Sequence, residues 1–418
     1  MKVLCICILL AAAVRADTPL ELADKAEQLL RNGDQPGAID VLKQAEQTEP
    51  ASAQSEDRIG FLFAVAGQAS DAVRHFEKAL SIDPNYAAAH FHLGAARWLA
   101  NDFDEALPDL QEAVKLAPDV FDYRYRLGAA YLQMANFEQA SAELKQAVTL
   151  DGANAGGWNS FGHALQGKQD WPTAVDAYRH AVTLDAANDT YRDDYAYALI
   201  ETREAEQGIA ESQKVLEHNP ANAAALMNLG YANLKKGEFD AAEKAYRKVV
   251  AAEPNAIAAH YDLGIALKMQ DKIEVAQQEF KEAIRLEPTL AEAHYTLGIT
   301  DWQLGDLKTA VEEMRAALSV RSNYAEAHYM LGVILKQTGD LDGAVPELKE
   351  AIRLDPKTPG PWNTLGQILR IKGDVPGSKE AFANGAKLKQ QTEAQLANSL
   401  EQGMRGGMAP QPLPMSPK

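Results

Sequence analysis

The chain has 418 residues, 46% apolar and 24% charged, which suits a folded protein and argues against wholesale disorder. Its 41 basic residues face 59 acidic ones, a net charge of −18 that makes nucleic acid or an anionic bilayer a poor partner.

The N-terminus comes first. Met1-Lys2 is a positive start, Val3 to Val14 is an apolar run, and Val14-Arg15-Ala16 puts small residues at the recognition positions for a cut after Ala16. The run is too short to span a bilayer of about 30 Å. Residues 1–16 are therefore expected to be a secretory signal peptide. Cys5 and Cys7, the only cysteines, leave with it. Ile6 is not the small residue that a lipid-attachment cysteine needs before it. Disulfides, thiol-ligated zinc and cysteine catalysis are thereby excluded from the mature chain. No second apolar run of spanning length follows, so no stable membrane span is expected after cleavage. The expected setting is a bacterial periplasm or cell envelope, or the extracellular space.

One period organises the rest. Gly60, Gly94, Gly128, Gly162, Gly230, Gly264, Gly298, Gly332 and Gly366 fall in a 34-residue phase, with Ala196 filling the one missing slot. Small residues follow twelve positions later, from Ala72 to Ser378, and prolines such as Pro84, Pro254 and Pro356 close the units. Apolar residues within a unit recur at three or four positions, as in Leu331, Ile334 and Leu335, then Val345, Leu348 and Ile352, which predicts two amphipathic helices. Gly33-Asp34, Gly305-Asp306, Gly339-Asp340 and Gly373-Asp374 lie between the helices. Gly there permits a left-handed closing residue and Asp caps the next helix. Gly and Ala at the seam let the two axes approach, and larger residues would overpack it.

This pattern resembles the tetratricopeptide repeat family, over about nine tenths of the chain. Trp158 and Trp362 occupy the Trp slot of its pattern, Tyr131 the Tyr slot, and Phe76, Phe280 and Phe382 the later aromatic slot. The resemblance implies an all-α, right-handed superhelical solenoid of stacked antiparallel helix pairs. Eleven units are expected over 17–392, starting near 19, 53, 87, 121, 155, 189, 223, 257, 291, 325 and 359. A C-terminal capping helix is expected over 393–402, and a disordered Pro/Gly/Met tail over 403–418. The unit from Asp189 to Asn222 is the weakest, with Ala196, Gly208 and Val215 where Gly, Ala and Ala are expected.

In the family the first helix of each unit lines a concave surface. Position five would place Phe91, Tyr125, Tyr261, Tyr295 and Tyr329 there, position nine His163, Tyr197 and Tyr231, and position twelve Trp98 and Trp302. Tyr gives a rigid apolar face with a polar tip, suited to holding a peptide. Lys268, Lys336 and Arg370, also at position twelve, form a basic series suited to partner carboxylates. The lysine–asparagine clamp of chaperone-binding members is not reproduced. His90, His260, His294 and His328 recur at position four, one unit apart, where ligands for one zinc ion could not converge; they read as packing residues. There is no phosphate-cradling Gly-rich loop after a strand and no Gly-x-Ser-x-Gly elbow, so catalytic residues, cofactor and metal are all expected to be none. The reading is a non-enzymatic protein-protein interaction scaffold that docks a partner protein or peptide segment. Its alternative is a glycan- or polysaccharide-binding export accessory that uses the same aromatic groove.

Overall fold

The computed structural model describes residues 17–48 and 51–405. The signal peptide expected over 1–16 and the tail beyond 405 lie outside the described residues. The chain divides into two compact units, the first ending at Glu211 and the second starting at Ser212.

The first unit runs through α1 (Pro19–Arg31), α2 (Gln35–Ala45), α3 (Ala53–Val65), α4 (Ala69–Ile82), α5 (Ala87–Leu99), α6 (Phe103–Leu116), α7 (Phe121–Gln133), α8 (Phe137–Leu150), α9 (Ala155–Gly167), α10 (Trp171–Leu184) and α11 (Asp189–Glu201). The division falls inside α12 (Ala205–His218). The second unit continues with α13 (Ala223–Lys236), α14 (Phe239–Ala252), α15 (Ile257–Met269), α16 (Ile273–Leu286), α17 (Ala291–Gln303), α18 (Leu307–Val320), α19 (Ala325–Thr338), α20 (Leu341–Leu354), α21 (Pro359–Ile371) and α22 (Val375–Arg405). Among the described residues there is no strand. The fold is all-α, and each odd-numbered helix packs on the even-numbered helix that follows it, α11 meeting α12 at Gly208 and Glu211.

Glycine explains how closely the two helices of a pair approach. A Cβ on Gly162 would lie 2.5 Å from the Tyr178 ring, on Gly264 2.5 Å from the Phe280 ring, and on Gly332 2.7 Å from Leu348 Cγ. The large residue always comes sixteen positions after the glycine, as also in Gly60 with Phe76 and Gly230 with Tyr246. That residue is buried and its seat is the missing side chain. In the weakest repeat this position holds Ser212, a small hydroxyl whose Oγ is buried without a hydrogen-bond partner. The unit division lies beside it.

The turns follow the expected chemistry in part. Gly33, Gly305, Gly339 and Gly373 are left-handed (φ +82° to +89°), and Asp34, Asp306, Asp340 and Asp374 accept hydrogen bonds from the backbone N–H three residues on. Asn101, Ala135, Gln169, Arg203 and Asp271 also occupy left-handed backbone, at φ +54° to +70°. Ala135 has neither the freedom of glycine nor a polar side chain to offset that geometry. Ala135→Gly is therefore expected to raise stability by up to about 1 kcal/mol; a lower urea midpoint would refute the strain.

Curvature follows from which helices meet. Odd helices approach one another along the stack, α1 to α3, α3 to α5, α7 to α9 and α9 to α11 in the first unit, and α13 to α15, α17 to α19 and α19 to α21 in the second. Even helices make no comparable approach within either unit among the described residues. Each unit therefore bends with its odd helices inside. At the C-terminal end, the capping helix expected over 393–402 is not a separate element. It is continuous with the second helix of the last repeat, because nothing in Val375–Arg405 breaks the helix: there is no Pro after its first turn.

Candidate partner-binding surface

The inner face is built from a recurring contact. Position five of one odd helix meets position six of the next: Tyr261 Oη lies 3.3 Å from Thr296 Oγ1, Ser160 Oγ donates to Tyr125 Oη at 3.4 Å, and His92 Nδ1 lies 2.7 Å from Asp57 Oδ1. Nearer the helix ends, position twelve meets position thirteen of the next repeat. The Trp98 and Trp302 indole N–H groups donate to Gln133 Oε1 (2.9 Å) and Gln337 Oε1 (2.7 Å).

In the first unit Phe91 stacks on Tyr123 with centroids 4.6 Å apart, and Tyr125 lies parallel to Phe121 at 5.5 Å. Trp98 departs from expectation. It is only 9% exposed, because Phe103 on α6 covers its ring at 4.6 Å and the indole joins the core. It is a packing residue, not a groove anchor. His163 and Tyr197 do meet at one place, an open cleft of about 680 Å³ whose walls include Phe137, Trp171, Gln133 and Gln166. Tyr197 is edge-on to Trp171 at 5.7 Å.

Beneath that cleft lies a polar network. Tyr178 Oη donates to Gln166 Oε1 at 2.8 Å and lies 3.0 Å from His163 Nδ1. The other ring nitrogen, His163 Nε2, is 3.1 Å from Asp194 Oδ2, which also accepts from Asn159 Nδ2 at 2.8 Å. Tyrosine, histidine and aspartate in series invite a catalytic reading. The Tyr178 hydroxyl is wrong for it: burial, with the nearby Asp194 charge, pushes its pKa far up, and the side chain is fully covered. The network binds α9, α10 and α11 together.

In the second unit Tyr261, Tyr295 and Tyr329 are half-buried, and each leans on the following repeat. Tyr261 reaches Thr296, the Tyr295 ring lies 4.9 Å from Tyr324, and Tyr329 sits over Gly360, where a Cβ would come within 2.9 Å of its hydroxyl. The rings thus pack between repeats and stay partly exposed. Burial raises the pKa of the Tyr261 hydroxyl and lifts that of Tyr295 to about 12, so both stay neutral. Tyr231 lies under Lys235 Nζ, 4.9 Å from its centroid.

The basic series is less uniform than its spacing suggests. Arg370 is exposed, Lys336 Nζ donates to Gln367 Oε1, and Lys268 is half-buried, its charged form disfavoured by desolvation. Sequence reasoning also missed the exposed apolar residues at position thirteen. Leu99 is 81% exposed, and Val65, Met269 and Ile371 occupy the same register. The signal was available, since these residues share the 34-residue phase.

The position-four residues form rungs. His260, His294 and His328 each place Nδ1 against a glutamate nineteen residues on (Glu279, Glu313, Glu347; 2.6–2.7 Å) and Nε2 against the carbonyl six residues upstream (3.0–3.2 Å). Arg124 and Arg192 make the same two contacts in the first unit.

These features define a helical-repeat interaction protein: stacked pairs, a seam of glycine and alanine, and an inner face of side chains braced by their neighbours. Family models described as tetratricopeptide repeat match residues 60–101, 97–155, 194–257 and 295–359. The chain belongs to the tetratricopeptide repeat family. Comparison with curated proteins gives no match. Among solved structures, MamA is 25% identical over 40% of this chain and 97% of its own, with a TM-score of 0.38. Yeast Tom70 is 14% identical, covering 93% and 96%, with a TM-score of 0.46. Cut9-Hcn1 of the APC/C is 14% identical, covering 90% and 88%, with a TM-score of 0.43. Among the described residues no helix is long and apolar enough to cross a membrane.

Proposed function

We propose that this chain is an exported docking scaffold that holds an extended segment of a partner protein against the inner face of its second unit. The observation that carries the reading is the row Tyr261, Tyr295 and Tyr329: three part-exposed rings, one repeat apart, each already held by the next repeat. A surface set before binding loses little ordering entropy on docking. Exposed Arg370, with Lys336 beside it in register, supports a segment that carries carboxylates toward the C-terminal end.

A photo-crosslinking residue at Tyr295, in the native host, is expected to give a discrete protein adduct. The same residue at Lys308, whose side chain is 87% exposed on α18, is expected to give none. Reversing Lys336 and Arg370 to Glu should weaken the Tyr295 adduct. Capture of glycan at Tyr295 would instead support the polysaccharide reading of the same face, and capture of nothing would withdraw the groove. Export is supported by the sequence of residues 1–16. The released protein is expected to begin at Asp17, and an intact N-terminus in its mass would remove that part.

A further inference from the structure

The Tyr178 network has a counterpart 68 residues later that is left open. Tyr246 takes the place of Tyr178, Tyr231 that of His163, Asp262 that of Asp194 and Met227 that of Asn159. The two tyrosine rings sit alike: a Cβ on Gly162 and one on Gly230 would each meet the corresponding ring at 2.5 Å. Asp194 accepts from Asn159 and faces His163. Asp262 has Met227 and Tyr231 at those positions instead, and no hydrogen bond or ion pair reaches its carboxylate. The Tyr246 hydroxyl is fully buried and likewise has no partner, although Tyr178 has two. Asp262 is half-buried, and desolvation alone pushes its pKa up to about 6.

An unpaired, partly desolvated carboxylate is costly inside a protein, and a donor from outside removes the cost. We propose that Asp262, with Met227 and Tyr231 of the preceding repeat and Tyr246 beneath, receives a lysine or arginine side chain of the docked segment. Met227 offers a soft apolar wall for the alkyl stem. Tyr261, next to Asp262 in the chain, adds a part-exposed ring, which attracts a cation. The acidity of the whole chain favours a basic visitor. Lys235 Nζ is placed over the Tyr231 ring. The site rests on the docking reading above and gives the segment a direction, with its basic residue at Asp262 and its acidic part toward Arg370.

The test follows the carboxyl carbon of Asp262 by NMR in the full mature chain, assigned with Asp262→Asn. In the free protein its titration midpoint is expected well above the ordinary aspartate range. N-acetylarginine amide or N-acetyllysine amide is expected to lower that midpoint by at least one pH unit, and N-acetylglutamine amide to leave it in place. The double variant Met227→Asn with Tyr231→His rebuilds the donors that Asp194 has. It should lower the midpoint unaided, raise the Tm and reduce probe affinity at least tenfold. An unmoved midpoint, or an equal response to the glutamine amide, overturns the proposal. So does a low midpoint in the free protein that rises in Lys235→Gln, which would assign the carboxylate to Lys235. The probes act without the native partner. A failure here alongside a protein adduct at Tyr295 removes this site and leaves the docking surface standing.

Discussion

Gly264→Val is expected to destabilise the second unit by about 3 kcal/mol, the upper end of what overpacking a filled core costs. The first added carbon would lie 2.5 Å from Phe280 Cε1, and two further ring carbons lie within 3 Å. Phe280 cannot yield, because it is fully buried between α15 and α16 in a cluster with Leu263, Leu267 and Tyr246. The pair must therefore separate, and in an array stabilised by neighbours the loss spreads to adjacent repeats. Urea denaturation measures it. Gly305→Ala is the contrast: nothing lies within 4 Å of that position, and only its left-handed backbone resists, for about 1 kcal/mol. Equal midpoints for Gly264→Val and the parent would show that the seam is not close-packed.

The second large effect is expected at the rungs. His294 faces Glu313 Oε2 at 2.6 Å and the Pro288 carbonyl at 3.2 Å, two acceptors that the protonated ring, with a donor on each nitrogen, satisfies together. Its pKa is raised, chiefly by the Glu313 hydrogen bond, while burial pulls the other way and the Pro288 carbonyl adds to the rise. The sign follows from linkage. The contribution is complete below the unfolded value near 6.5, and it is lost as pH rises through the higher folded value. Stability of the second unit should therefore fall on that alkaline side. His294→Ala should cost about 2 kcal/mol at pH 5.5, since it leaves Glu313 without its partner. His294→Arg should retain the rung and flatten the pH dependence, as Arg124 and Arg192 occupy the same register in the first unit. A stability that rises with pH across this window would contradict the assignment.

The pairing of helices was legible in sequence because it rests on residues that must be small. Gly264 and its equivalents face a large residue sixteen positions on and would clash with it if they carried a side chain, so the period shows through otherwise divergent repeats; Ala196 fills the slot only where that residue is Ser212. Exposure was not legible in the same way. Trp98 and Trp302 share position twelve, yet Trp98 is buried under Phe103, whereas the residue in that register after Trp302 is Leu307. What covers a position is set by a residue on the next helix, five places on, and cannot be read from that position's identity alone. Asp262 was hidden for another reason: a lone carboxylate on a helix reads as solvated. Its isolation emerges only once position six is known to look back at positions five and nine of the preceding repeat, where Met227 stands in place of Asn159.

The rungs also bear on how such a chain takes shape as it is delivered. The carbonyl that each position-four side chain holds belongs to the closing turn of the repeat before it: Pro254 for His260, Pro288 for His294, Ser322 for His328. A repeat's own exit is therefore fastened by the opening turn of its successor. In a chain that emerges N-terminus first, each pair so fastened waits for the first residues of the next before it locks, and assembly proceeds as a latch closed from behind.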